Sequence, residues 1–154
     1  MNPYLRITVC RETLICDTSF VSHLLSREEW PDRYSHWRAD DIARIRTSLL
    51  AISIVTISEL RAGYLDAGWG SRRIAETERQ WAGFLPLLID DPYLNIWARL
   101  WTAAKARGVA VGDNDLWIAS TAAFRGQALV TCDRDHVRIA RDLPVEVLYL
   151  QPPV

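Results

Sequence analysis

The sequence is short of cysteine, lysine, histidine and long hydrophobic runs, and each shortage narrows what the protein can be. Its three cysteines, Cys10, Cys16 and Cys132, are an odd number without C-x-x-C spacing. That argues against a disulfide framework or a zinc site and fits a reducing compartment. Cys16 and Cys132 fall inside apolar, strand-like runs, where a free thiol behaves as a small buried hydrophobe. No run approaches roughly 18 consecutive apolar residues, so no membrane span is expected. The N-terminus also lacks the charged-then-apolar order of a signal peptide, and a soluble cytoplasmic protein is expected. Lys105 is the only lysine beside 17 arginines. Arginine is the better bidentate partner for phosphate, although genomic base composition biases usage in the same direction. A net charge of −1 announces no general field for nucleic acid.

What is present is an apolar chain, 154 residues long and 49% hydrophobic, enough for one domain with a sizeable core. Thr13 to Cys16 reads as a strand ending at Asp17, followed by a helix through Val21, Leu24 and Leu25. Before it, Leu5, Ile7 and Val9 alternate as in an edge strand or arm, and Ser26 to Trp37 reads as a loop. A helix over about Arg38 to Leu49 precedes a buried strand at Leu50 to Thr56. Ser58 would cap the next helix, which carries Glu59; a charged helix follows over Arg72 to Phe84. Leu85 to Ile89 is a third strand whose Pro86 suggests a sheet edge, or a start at Leu87. Asp91-Pro92 opens a helix with proline at its first position, and Gly108 stops it. The next helix opens at Gly112-Asp113-Asn114-Asp115, with Asp113 or Asn114 as N-cap, and ends at Gly126. Strands at Ala128 to Cys132 and Val145 to Tyr149 complete the pattern, and residues 151–154 form a surface tail. Strands alternating with helices predict one three-layer α/β/α domain around a central, mostly parallel five-stranded sheet.

In such a sheet all parallel strands deliver their C-terminal ends to one edge, where ligands bind. Asp17, Glu59, Asp115, Asp133 and Asp135 converge there from distant segments. Each also has an ordinary structural role, as a helix cap, a partner of a helix dipole or a turn residue. Together their charges would repel and raise one another's pKa values, a conflict that divalent cations resolve. Oxygen ligands without clustered histidine or cysteine favour Mg²⁺ or Mn²⁺ over zinc. With four acids committed to metal, 15 remain against 18 bases, a mildly positive remainder. A carboxylate-held ion of this kind suits phosphodiester hydrolysis by an activated water.

The stretches Leu14-Ile-Cys-Asp-Thr-Ser-Phe, Thr56-Ile-Ser-Glu-Leu-Arg-Ala-Gly, Asn114-Asp-Leu-Trp-Ile-Ala-Ser and Leu129-Val-Thr-Cys-Asp-Arg-Asp-His resemble the four motifs of PIN-domain ribonucleases, above all the VapC toxins of toxin–antitoxin pairs. Their order and spacing cover about Thr13 to Leu148. The resemblance implies a single PIN domain over 1–154 with an extension at 1–12, and a Mg²⁺- or Mn²⁺-dependent endoribonuclease acting on RNA. It implies catalytic and metal-binding roles for Asp17, Glu59, Asp115 and Asp133, with Asp135 as a further metal ligand. Thr18, Ser19 and Thr131 match hydroxyl positions beside the acids, and Asp113 falls just outside the usual acid position, in a supporting role. A homodimer and a cognate antitoxin whose C-terminal segment blocks the cleft are also implied. Val137 departs from the family, which usually carries an aromatic after the residue matching His136, and the extension at 1–12 is longer than usual.

Arg61 and Arg134 lie nearest the acids and are candidates to contact RNA or antitoxin; Arg72 and Arg73 lie farther off. Trp97, Trp101 and Trp117 have core spacing, whereas Trp30, Trp37 and Trp69 sit in loop-like stretches suited to an antitoxin groove. His23, His36 and His136 are scattered, and a metal mechanism requires none of them as a base. A haloacid-dehalogenase-type phosphatase would want an aspartate where Ser19 stands. A phospho-receiver domain would want a lysine late in the sheet, and Lys105 is on a helix. A catalytically silent PIN domain that only binds RNA or antitoxin is the remaining alternative.

Overall fold

The first strand among the described residues, Thr13–Cys16, becomes the centre of the sheet, and this places Asp17 in the middle of one edge. The computed structural model describes residues 12–25, 36–141 and 145–152. In chain order its elements are β1 (Thr13–Cys16), α1 (Thr18–Leu25), α2 (Ala39–Thr47), β2 (Leu49–Ser53), α3 (Ile54–Asp66), α4 (Ser71–Trp81), β3 (Leu85–Leu87), α5 (Asp91–Ala106), α6 (Asp113–Arg125), β4 (Ala128–Thr131), α7 (Arg134–Ala140) and β5 (Val147–Tyr149). The strands run in the order β3-β2-β1-β4-β5, and every pairing is parallel. The chain winds outward from β1 to β3 and then returns to the other side of β1 with β4. The reversal leaves a crevice at the C-terminal ends of β1 and β4, where such sheets bind ligands.

Side-chain alternation along the strands divides the core into two layers. Leu14, Cys16, Ile52, Ala128 and Val130 face one side with Phe20, Val21, Ile45, Leu60 and Tyr64. Ile15, Ala51 and Leu129 face the other with Leu100, Leu116, Ile118, Ala119, Ala122 and Ile139. Helices therefore cover both faces, as the alternating pattern predicts. Cys16 and Cys132 are buried free thiols, and burial pushes the Cys132 thiol up to about 12.

Several local expectations change. The β-branched run Ile54-Val55-Thr56 is the first turn of α3, not the end of a strand. Ser53 is its N-cap: its hydroxyl accepts from the Thr56 N–H at 3.0 Å, and that cap outweighs strand propensity. Glu59 consequently sits in the second helical turn. Gly112, rather than Asp113 or Asn114, caps α6. Pro86 lies in the edge strand β3, which begins at Leu85. Trp37 is not an exposed loop aromatic; it is 6% exposed, and its indole N–H donates to the Gln151 carbonyl at 2.7 Å. His36 Nε2 meets the same carbonyl at 2.8 Å, so the start of the predicted tail is pinned to the domain. Trp101 is 41% exposed rather than core, stacked on Trp97 and beneath the Lys105 ammonium. The alternation at Leu5, Ile7 and Val9, with Cys10 and Trp30, lies outside the described residues.

Arg44 of α2 closes the far end of the sheet. It bonds Glu12, ahead of β1, through Nη2 at 2.6 Å, and Glu146, ahead of β5, through both Nη groups. Both carboxyls are held below their usual value by these bonds.

Candidate active site

Asp17 and Asp133 reach the crevice by the same local logic, each following a strand and opening a helix, whereas Glu59 comes from the second turn of α3 and Asp115 from the first turn of α6. Asp17 follows β1 directly and is 2% exposed. Its Oδ1 accepts from the Phe20 N–H at 2.8 Å, and its Oδ2 from the Thr131 hydroxyl at 2.7 Å. The Ser19 hydroxyl lies against both oxygens, at 3.0 and 2.8 Å. These hydroxyls are themselves oriented, because Ser19 Oγ accepts from the Cys132 N–H at 3.0 Å and Thr131 Oγ1 from the Asp133 N–H at 2.9 Å. Backbone at the end of β4 thus fixes two hydroxyls that fix the carboxylate on β1.

Glu59 comes in from α3. One of its oxygens accepts from the Thr18 hydroxyl and the other from the Asn114 amide at 2.8 Å, so α1 and α6 hold it from two sides. Asp115 is the third residue after the Gly112 cap and folds back over it. A Cβ built on Gly112 would stand 2.9 Å from Asp115 Oδ2, so glycine gives the carboxylate its room. Asp133 caps α7, its Oδ1 accepting from the Asp135 N–H at 2.8 Å.

Asp17, Glu59, Asp115 and Asp133 line a single open pocket of about 310 Å³ together with Thr18, Ser19 and His136. Burial raises the Asp17 carboxyl, with His136 and the hydrogen bonds opposing. Burial likewise raises Asp115; His136 opposes, and the charges of Asp133, Glu59 and Asp17 add to the rise. Among the described residues no three carboxylate, imidazole or thiolate groups already form a cage for an ion. The donors are oxygens on fixed elements around an open space, a set that fits a hard divalent cation.

Other sequence candidates lie elsewhere. Asp135 is exposed, does not line the pocket, and pairs with Arg138 at 3.0 Å. Asp113 is exposed at the first position of α6. Arg61 pairs with Glu78 at 2.8 Å, tying α3 to α4. Arg134 donates from Nε to the Tyr149 hydroxyl at 3.3 Å, beside the pocket.

Two residues had no role at the site in the sequence reading. Asn114, taken there as a cap, holds Glu59. His136 is 1% exposed, and its Nε2 lies 3.5 Å from Asp17 Oδ2 and 3.6 Å from Asp115 Oδ1. Its Nδ1 is buried with no partner. The ring therefore makes its polar contacts through Nε2, which faces the two carboxylates. Its position was legible: it lies three residues after the Asp133 cap, the position at which Asp115 follows Gly112.

An apolar groove of about 260 Å³ adjoins the acids, Ser22 lying on both. Its wall is a stack in which Trp69 lies on Tyr64 (4.9 Å between centroids, 8° between planes) under the Arg73 guanidinium, 3.7 Å from the ring. No described helix is long and apolar enough to cross a membrane.

The sequence profile of the PIN domain matches residues 14–142. Ribonuclease VapC4 of Mycobacterium tuberculosis is 32% identical over 125 residues, covering 79% of this chain and 87% of that protein. Among solved structures, VapBC-5 from Mycobacterium tuberculosis superposes with a TM-score of 0.65 at 29% identity, over 89% of this chain and 98% of that one. VapBC2 from Rickettsia felis, at 18% identity, shares the fold with a TM-score of 0.73 over 89% and 98%. With profile, relative and sheet order in agreement, the chain belongs to the PIN-domain family and, within it, to the VapC group.

Proposed function

We propose that this chain is a metal-dependent endoribonuclease, the toxin of a toxin–antitoxin pair, that hydrolyses RNA phosphodiester bonds at the pocket of Asp17, Glu59, Asp115 and Asp133. The observation that carries the reading is the convergence of these four acids, from four separate segments, on one open pocket at the sheet's switch point. Four like charges in so small a space have no structural purpose that a cation would not serve better. A bound Mg²⁺ or Mn²⁺ would supply an activated water and offset charge at the phosphodiester. Asp17, Glu59, Asp115 and Asp133 would hold it; Asp135, turned to Arg138, is at most an outer partner.

The chain's own groups pre-organise the site. Ser19 and Thr131 keep both Asp17 oxygens oriented, and Thr18 and Asn114 do the same for Glu59. His136 sets Nε2 between Asp17 and Asp115. The pocket is open to solvent, as a polymer substrate requires. The named ribonuclease among the relatives supports RNA as substrate, and the VapBC neighbours support an antitoxin as partner. The groove beside Trp69 suits an apolar segment of that antitoxin, which from there would reach the acids past Ser22. A homodimer would cover Leu94 and Trp101, apolar residues 45% and 41% exposed on α5.

The test is to incubate antitoxin-free protein with a mixed RNA pool in Mn²⁺ or in EDTA, alongside Asp17→Asn and Asp115→Asn. Expected is cleavage in Mn²⁺ that leaves 5′-phosphate ends and is lost in EDTA and in both variants. Cleavage persisting in EDTA overturns the metal mechanism. RNA bound but never cut, by well-folded metal-loaded protein, would favour the silent module.

A further inference from the structure

A second depression opens on the other side of the acid pocket. It is a trough of about 500 Å³ between the end of β4 and the end of β5, and it shares Ser19 and Asp133 with the pocket. We propose that it is a subsite for a nucleotide adjoining the scissile phosphate, with its base stacked on Tyr149 and its backbone phosphate met by Arg134. The assignment rests on the ribonuclease reading above.

Three features of the trough suit a single-stranded nucleotide. First, it is continuous with the acids, so a chain bound through one phosphate there would lay its next residue in it. Second, Tyr149 offers a free ring. Trp69 in the apolar groove is occupied on both faces by Tyr64 and Arg73, whereas Tyr149 has no ring partner among the described residues. Single-stranded RNA is recognised largely by stacking on such aromatic surfaces, with arginine at the backbone. Third, the walls of the trough at Tyr149, Leu150 and Gln151 are tied to the fold. Arg134 Nε donates to the Tyr149 hydroxyl, which orients ring and guanidinium together and leaves the Nη groups for an anion. The wall at Gln151 is held by Trp37 and His36, and the Leu150 N–H donates to the Thr131 carbonyl at 2.8 Å.

The experiment measures fluorescence anisotropy of a short, labelled, mixed-sequence single-stranded RNA in Mg²⁺, using full-length Asp115→Asn protein so that nothing is cut. Tyr149→Ala in this background should weaken binding about tenfold. Tyr149→Trp should retain it, and Arg134→Ala should weaken it and flatten its dependence on salt. In the cleaving enzyme, Tyr149→Ala should raise KM more than it lowers kcat. Mn²⁺ affinity should match the parent in every variant, and each variant should remain folded at the assay temperature by its melting curve. RNA bound equally by the parent and by folded Tyr149→Ala overturns the subsite alone. Loss of antitoxin affinity with RNA affinity intact would assign the trough to a protein segment and also overturns it. A parent that ignores RNA overturns the ribonuclease reading, and the subsite with it.

Discussion

Gly112→Ala tests how closely the site depends on one absent methyl group. The backbone at this cap, φ −63° and ψ 139°, is open to any residue, so alanine brings no backbone strain. Its Cβ would lie 2.9 Å from Asp115 Oδ2 and 3.6 Å from Cγ, whereas ordinary contact begins at 3.4 Å. The carboxylate must therefore retreat by about 0.5 Å, the difference between those two separations. It can do so cheaply by rotating, since it is the end of a side chain. Stability should consequently change by less than about 1 kcal/mol, a few degrees in thermal midpoint. Catalysis is less forgiving, because a misplacement of ~1 Å can cost about 100-fold. A loss of roughly tenfold to 100-fold in kcat is expected, with weakened Mn²⁺ binding by calorimetry. A folded variant with wild-type kcat and Mn²⁺ affinity would refute the reasoning. A large fall in thermal midpoint would show instead that the backbone, not the carboxylate, had moved.

Asp115→Asn should stabilise the metal-free protein while abolishing cleavage. The folded Asp115 carboxyl lies above its ordinary value of 3.8 because it is buried among other acids. The native state therefore holds that proton more tightly than the unfolded chain does. Ionisation costs stability, a cost absent below the ordinary value and growing as pH rises through the raised one. The variant's gain in thermal midpoint should widen as pH rises above the ordinary value of 3.8; a constant or shrinking gain contradicts it. Arg44→Ala has the opposite sign. Glu12 and Glu146 are held below their ordinary value of 4.5 by hydrogen bonds from Arg44, so their contribution is present above that value and lost as pH falls through the lowered ones. These groups are largely exposed, so solvent screening limits the loss to about 1 kcal/mol at neutral pH. Melting curves of variant and wild type should converge in acid, and a gap that persists there would assign the loss to packing.

The architecture was legible because buried parallel strands leave a strong trace. Thr13 to Cys16 and Ala128 to Cys132 are short apolar runs, each followed at once by an aspartate that leads into a helix. Once the strands are parallel, the residues after them must share an edge. The sequence signal weakened at Ile54 to Thr56, where β-branched residues continue the strand pattern into the first turn of α3. The decisive residue there is Ser53, a single cap inside an apolar run. Trp37 and Gln151 form another contact without local trace, since each sits in a stretch that reads as loop or tail.

The acids were legible as a set but not residue by residue, and the reason lies in the first turn of a helix. The resemblance implied Asp135, two residues beyond Asp133, as a further metal ligand and gave His136 no role. Once Asp133 becomes an N-cap, helical geometry decides otherwise. The second residue of the turn points outward, where Asp135 meets Arg138 one turn on. The third lies back beneath the cap, where His136 reaches both Asp17 and Asp115. The same rule operates on α6, where Asp113 takes an exposed first position and Asp115 the inward third. Counting from the cap gives a geometric reason for the choice of Asp115 over Asp113 that the resemblance already implied, and it picks out His136, which the resemblance did not. The cap itself is the unknown: Gly112 carries no side chain to announce it, and only the space that Asp115 requires explains why glycine stands there.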